Sequence, residues 1–140
     1  MTLSYGAFCE DFAIENFLEI IIPQFIKYFK FHDINIEKSN AFSNKIKGVR
    51  FKKSFNRSFI KNEYPKYSQI ALEYDNVDLF FAGFDADYND KKRFEIEINN
   101  YYSNLKINIE KCIIFIPVQC IEHWLWYLKL NKESKNKKLL

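Results

Sequence analysis

Asp85, Ala86 and Asp87 place two carboxylates two residues apart, directly after the apolar run Val77–Phe84 (VDLFFAGF). On an extended chain such residues point to the same side, with Cα atoms roughly 6.6 Å apart. Two carboxylates so placed can share one divalent cation, directly or through its waters. Mg²⁺ is commonly held by one or two carboxylates, with substrate phosphates completing its shell. The bland alternative is a polar turn in which Asp85, Asp87 and Asp90 merely cap the next helix.

Two other groups of residues could do chemistry. Cys120 and His123 lie three apart and could share a helix face. A zinc site would need two more ligands from Cys9, Cys112 and His32, so a buried thiol beside an exposed histidine is the simpler reading. The second group is basic. Lys45, Lys47, Arg50, Lys52, Lys53 and Arg57 fall between Ser39 and Lys61, a stretch without any acidic residue, interleaved with Phe42, Phe51, Phe55 and Phe59. The cations suit a phosphate backbone, and the rings suit unpaired bases. A solvated segment whose phenylalanines cover a sheet would read the same way. The net charge of +3 neither demands nor excludes a nucleic acid. There is no GxxxxGK[ST] or GxGxxG loop to cradle a nucleotide.

The elements that must position these residues follow from hydrophobic periodicity. Thr2–Phe8 reads as a strand, and Glu10 and Asp11 open a helix through Phe12, Ala13, Phe17, Ile20 and Ile21. Pro23 is expected to break or restart that helix. Asp33–Glu37 suits a short edge strand, and Ser39–Lys61 is irregular. Tyr64–Tyr74 reads as a helix with Pro65 near its start. Val77–Phe84 is nearly continuous apolar sequence, as a central parallel strand requires. Lys92–Leu105 is helical, Cys112–Ile116 reads as a second buried strand, and Gln119–Leu130 as a last helix. Alternation of strand and helix predicts an α/β fold: three layers, α/β/α, around a mostly parallel four-stranded sheet. Residues 1–130 form one domain, with 131–140 as a polar tail. Such sheets bind ligands beyond the carboxyl ends of their strands, where Asp85 and Asp87 fall.

A chain of 140 residues can bury a core large enough to fold without disulfides or metal. Its three cysteines are odd in number and form no CxxC, which suits reduced thiols and a cytoplasmic location. No signal peptide or apolar run of membrane-spanning length is present, so no membrane association is expected.

An apolar strand ending in Asp-x-Asp, third in a four-strand succession, resembles the Toprim domain of topoisomerases, bacterial primases, OLD-type nucleases and several phage-defence proteins. Pro117–Lys129 (PVQCIEHWLWYLK) resembles the proline, glutamate, tryptophan signature of RloB-like small Toprim proteins, with Glu122, Trp124 and Leu125 as the matching residues. Gly6–Leu18 (GAFCEDFAIENFL) resembles the family's first strand-to-helix turn. The resemblance implies Mg²⁺ (or Mn²⁺) at Asp85 and Asp87 with Glu122 in support, and Glu10 with Asp85 and Asp87 in catalysis. It implies phosphodiester hydrolysis of DNA or RNA, in phage defence or mobile-element biology. By register Gly6 stands where the family carries its first glutamate, with Glu10 one helical turn beyond. That departure leaves a second expectation, a catalytically silent module that binds nucleic acid or a protein partner such as an ATPase subunit, or pairs with itself as a homodimer.

Overall fold

The computed structural model describes residues 1–10, 12–42, 57–85, 91–117 and 129. Four strands form one sheet: β1 (Thr2–Cys9), β2 (Asn35–Lys38), β3 (Leu79–Gly83) and β4 (Cys112–Phe115). Their order is β2-β1-β3-β4, and all three pairings are parallel. Helices α1 (Phe12–Tyr28), α2 (Arg57–Gln69) and α3 (Lys91–Ser103) connect them, and a π-helical turn, Ile70–Tyr74, extends α2. The architecture is the expected three-layer α/β/α, with a wholly parallel sheet.

Alternation along the strands builds the layers. Tyr5, Ala7 and Cys9 of β1 and Phe81 of β3 pack under Ile14, Phe17, Leu18 and Ile22 of α1. The intervening residues turn the other way. Phe8, Phe80, Ala82, Cys112 and Ile114 pack against Phe42 and against Ile60, Tyr64 and Tyr67 of α2, with Ile98 and Tyr101 of α3 beside them. Each large side chain so buried contributes roughly 1.5–3 kcal/mol, which is what holds both helical layers to the sheet. The edge strand β2 is tied to α1 by charge: Lys38 pairs with both Glu15 and Glu19.

Several expectations are corrected. α1 runs unbroken through Pro23, which lies on its solvent side with Glu19, so the carbonyl left without a donor faces water. Its buried stripe is Ile14, Phe17, Leu18 and Ile22, while Ile20 is exposed. α2 begins at Arg57, inside the stretch read as irregular, because Ile60, Tyr64, Tyr67 and Ala71 form one buried stripe. Pro65 is therefore internal to the helix and not near its start. Tyr74, the end of the expected helix, closes the π turn and is exposed. Among the described residues β4 pairs with β3 alone and is the edge of the sheet, with Ile113 partly open to solvent. The helix expected over Gln119–Leu130 lies outside the described residues apart from Lys129, which is helical, and the tail 131–140 lies outside them too.

Candidate functional site at the β1–β3 switch point

The strand order creates one distinctive place. β1 and β3 are neighbours, yet β1 leads into α1 on one face of the sheet and β3 into α3 on the other. Diverging connections from adjacent parallel strands open a crevice at their carboxyl ends, the usual ligand site of such sheets. Glu10 is the first residue beyond β1, and Asp85 is the second beyond β3.

The two acids are in direct contact through one main-chain group. The Glu10 N–H donates to the Gly83 carbonyl at 2.8 Å. The Asp85 N–H donates to Glu10 Oε2 at 2.9 Å. Between them, the Phe84 N–H donates the other way, to the Phe115 carbonyl at 3.2 Å. Arg57, the first residue of α2, brings its Nε to 3.8 Å from the same Glu10 oxygen. One turn further along α2, Lys61 Nζ lies 5.4 Å from the centre of the Phe84 ring. The strand ends thus carry two carboxylates, with Arg57 against Glu10 and Lys61 over the ring of the residue before Asp85. Arg57 and Glu10 are both partly shielded, their side chains 32% and 20% exposed, so their attraction is less screened than that of a fully exposed pair.

Gly6 does not stand at this turn. β1 continues to Cys9, so Gly6 is internal to the strand and paired with Phe80. A Cβ at Gly6 would meet Phe42 Cδ1 at 2.7 Å. That ring is wholly buried between Phe80 and Tyr67, with centroids at 6.0 and 6.4 Å. Gly6 is therefore a packing residue. The acid at the strand end is Glu10, at the strand exit and not one helical turn beyond it. Gly83 has a similar role on the other face, where a Cβ would meet Ile14 Cγ2 at 2.7 Å. Its smallness lets α1 sit close on the sheet beside the site.

Of the residues the sequence singled out, Glu10, Asp85 and Arg57 are brought together. Asp87, Glu122, Lys45, Lys47, Arg50, Lys52 and Lys53 lie outside the described residues, as do Cys120 and His123. Arg57 was read as one more backbone-phosphate contact; the structure pairs it with Glu10. No sequence signal announces that pairing, because the two residues are joined only by the sheet. Among the described residues no three His, Cys, Asp or Glu side chains gather around a common point. Asp85 and Asp87 supply the hard oxygen donors that Mg²⁺ or Mn²⁺ takes, so the residue types fit such an ion. The two described thiols do not compete for chemistry. Cys9 is buried, and burial beside Glu110 pushes the Cys112 thiol up to about 11, away from the reactive thiolate.

The chain matches no protein-family model, no curated protein and no solved structure.

Proposed function

We propose that this chain is a Toprim-like, Mg²⁺- or Mn²⁺-dependent phosphodiester hydrolase of nucleic acid, acting at the carboxyl ends of β1 and β3. The observation that carries the reading is the meeting of Glu10 and Asp85 at the switch point, with Arg57 beside Glu10 and Lys61 over Phe84. Asp85 and Asp87 hold the metal, which when bound would polarise a phosphoryl oxygen and activate water. Glu122 supports them. Arg57 and Lys61 offer positive charge to a phosphate next to the carboxylates, and the Lys45–Lys53 stretch extends it along a DNA or RNA strand. The Asp-x-Asp strand end and the Pro117–Glu122–Trp124 segment support the family. The same resemblance suggests a phage-defence or mobile-element setting.

The alternative of a silent binding module drew its motive from Gly6. With Gly6 inside β1 and Glu10 at the strand exit beside Asp85, that motive is weaker, and this favours the hydrolytic reading. The test is cleavage of single- and double-stranded DNA and RNA with Mg²⁺ or Mn²⁺, comparing wild type with the double variant Asp85→Ala/Asp87→Ala. The expected outcome is metal-dependent cleavage that the double variant loses. Cleavage that persists in the double variant, or that needs no metal, sinks the mechanism.

A further inference from the structure

Glu10 has the right type and place to be a metal ligand or a general base, yet its contacts describe a different task. In the β1–β3 ladder, Cys9 is paired with Gly83 and the Glu10 N–H reaches the Gly83 carbonyl. Hydrogen bonds in a parallel ladder recur every second residue on a given side. The N–H of Phe84 accordingly points to β4, and the next group of β3 aimed at β1 is the Asp85 N–H. Its regular acceptor would be the Glu10 carbonyl. The chain bends at Glu10 to enter α1, so that carbonyl leaves the ladder, and the Glu10 side-chain oxygen takes the rung at 2.9 Å. One residue therefore grips β3 twice, by its own N–H and by its carboxylate, on either side of Phe84.

We propose that Glu10 is a positioning residue, whose carboxylate lengthens the β1–β3 ladder by one rung and so fixes the main chain of Asp85. Arg57 completes the device. Its guanidinium beside Glu10 Oε2 offsets the carboxylate's charge. Asp85 then carries the negative charge that a cation senses, while Glu10 supplies an acceptor. The rung itself stands on geometry; what Asp85 is held ready for rests on the hydrolase reading above.

Glutamine and alanine separate the two roles. Glu10→Gln keeps a side-chain oxygen that can accept the Asp85 N–H but removes the charge. Glu10→Ala removes both. Two readouts on the full chain are used: hydrogen exchange at the Asp85 amide by NMR, and Mn²⁺ affinity by electron paramagnetic resonance. Hydrogen bonds to charged acceptors are among the stronger ones, so Glu10→Ala is expected to speed Asp85 exchange and weaken Mn²⁺ binding, each by about tenfold or more. Glu10→Gln is expected to leave both within about threefold of wild type, as the neutral acceptor is preserved. Unchanged Asp85 exchange in Glu10→Ala overturns the proposal. So does a Glu10→Gln variant that keeps Asp85 protected yet loses Mn²⁺ as fully as Glu10→Ala, since that makes Glu10 a ligand. A wild-type chain that binds no Mn²⁺ defeats the hydrolase reading, and the exchange arm still decides the rung.

Discussion

At Gly6 one absent methyl group governs the reading of the whole first turn. The Phe42 ring fills the space that a side chain would need, and it cannot retreat from Phe80 and Tyr67. Gly6→Ala is expected to cost about 1–3 kcal/mol, the usual range for overpacking a filled core. It should appear as a lower urea midpoint with an unchanged m-value. Gly6→Glu, designed to restore an acid at that position, should fail to fold and should not alter metal binding in any folded fraction. The strand end before Asp85 was legible, because it announces itself by the abrupt change from VDLFFAGF to acidic residues, while Asp87 lies outside the described residues. Periodicity also ends the first strand near Phe8 and so puts Glu10 at its exit. The family register draws the first acid's place back to Gly6, because the small residues Gly6 and Ala7 resemble a turn as readily as a packed strand.

Among the elements, the two parallel strands beside the site were readable because burial on both faces leaves a continuous apolar run. β4 reads the same way although it is an edge, since one of its faces packs through Cys112 and Ile114 and Phe115 stacks on Phe17 at 5.1 Å. Periodicity reports burial and is silent about strand order. The start of α2 is obscured in the sequence for a different reason: a run of cations surrounds Ile60, which begins its buried stripe. The Tyr64 hydroxyl of α2 donates to the Tyr101 carbonyl of α3 at 2.6 Å, under rings 6.0 Å apart. Burial there raises the Tyr64 pKa, opposed by a hydrogen bond with Asn104. Tyr64→Phe keeps the ring and loses the bond, so it is expected to lower stability by about 1–2 kcal/mol in chemical denaturation. A change near zero would mean that the carbonyl finds water instead.

For the molecule as a whole, several groups hold their protons more tightly when folded. Tyr5 is pushed up to about 12, first by burial and then by Glu19. Cys112 is pushed up to about 11, again chiefly by burial. Lys38 is lowered by burial, but its bonds to Glu15 and Glu19 outweigh that and leave its pKa raised. For each, the unfolded chain releases the proton first as pH rises. The unfolded state then binds fewer protons, so stability must fall with pH. Their contribution is complete below the ordinary thiol value of 9.0 and is lost as pH climbs toward about 12. Denaturation midpoints measured from pH 8 to 11 should decline, and Tyr5→Phe should flatten part of the slope. Far from the site, Phe25, Tyr28, Phe29 and Phe31 form an exposed aromatic ladder at the end of α1. Phe29→Ser should cost no more than about 1 kcal/mol, against about 3–5 for Phe8→Ala in the core, as read from the two unfolding curves.

The bond between Glu10 and Asp85 joins residues 75 apart, and β1, made first, lies in the middle of the sheet. A ribosome adds about 5–20 residues each second, so several seconds separate the appearance of the two acids. During that interval β1 can pair with β2 on one side only, leaving its other edge and Phe8 without the neighbours they have in the finished sheet. The nascent chain is therefore most prone to aggregate before β3 emerges. Its two acids meet late in synthesis, so a product truncated before residue 85 would carry Glu10 and Arg57 without Asp85.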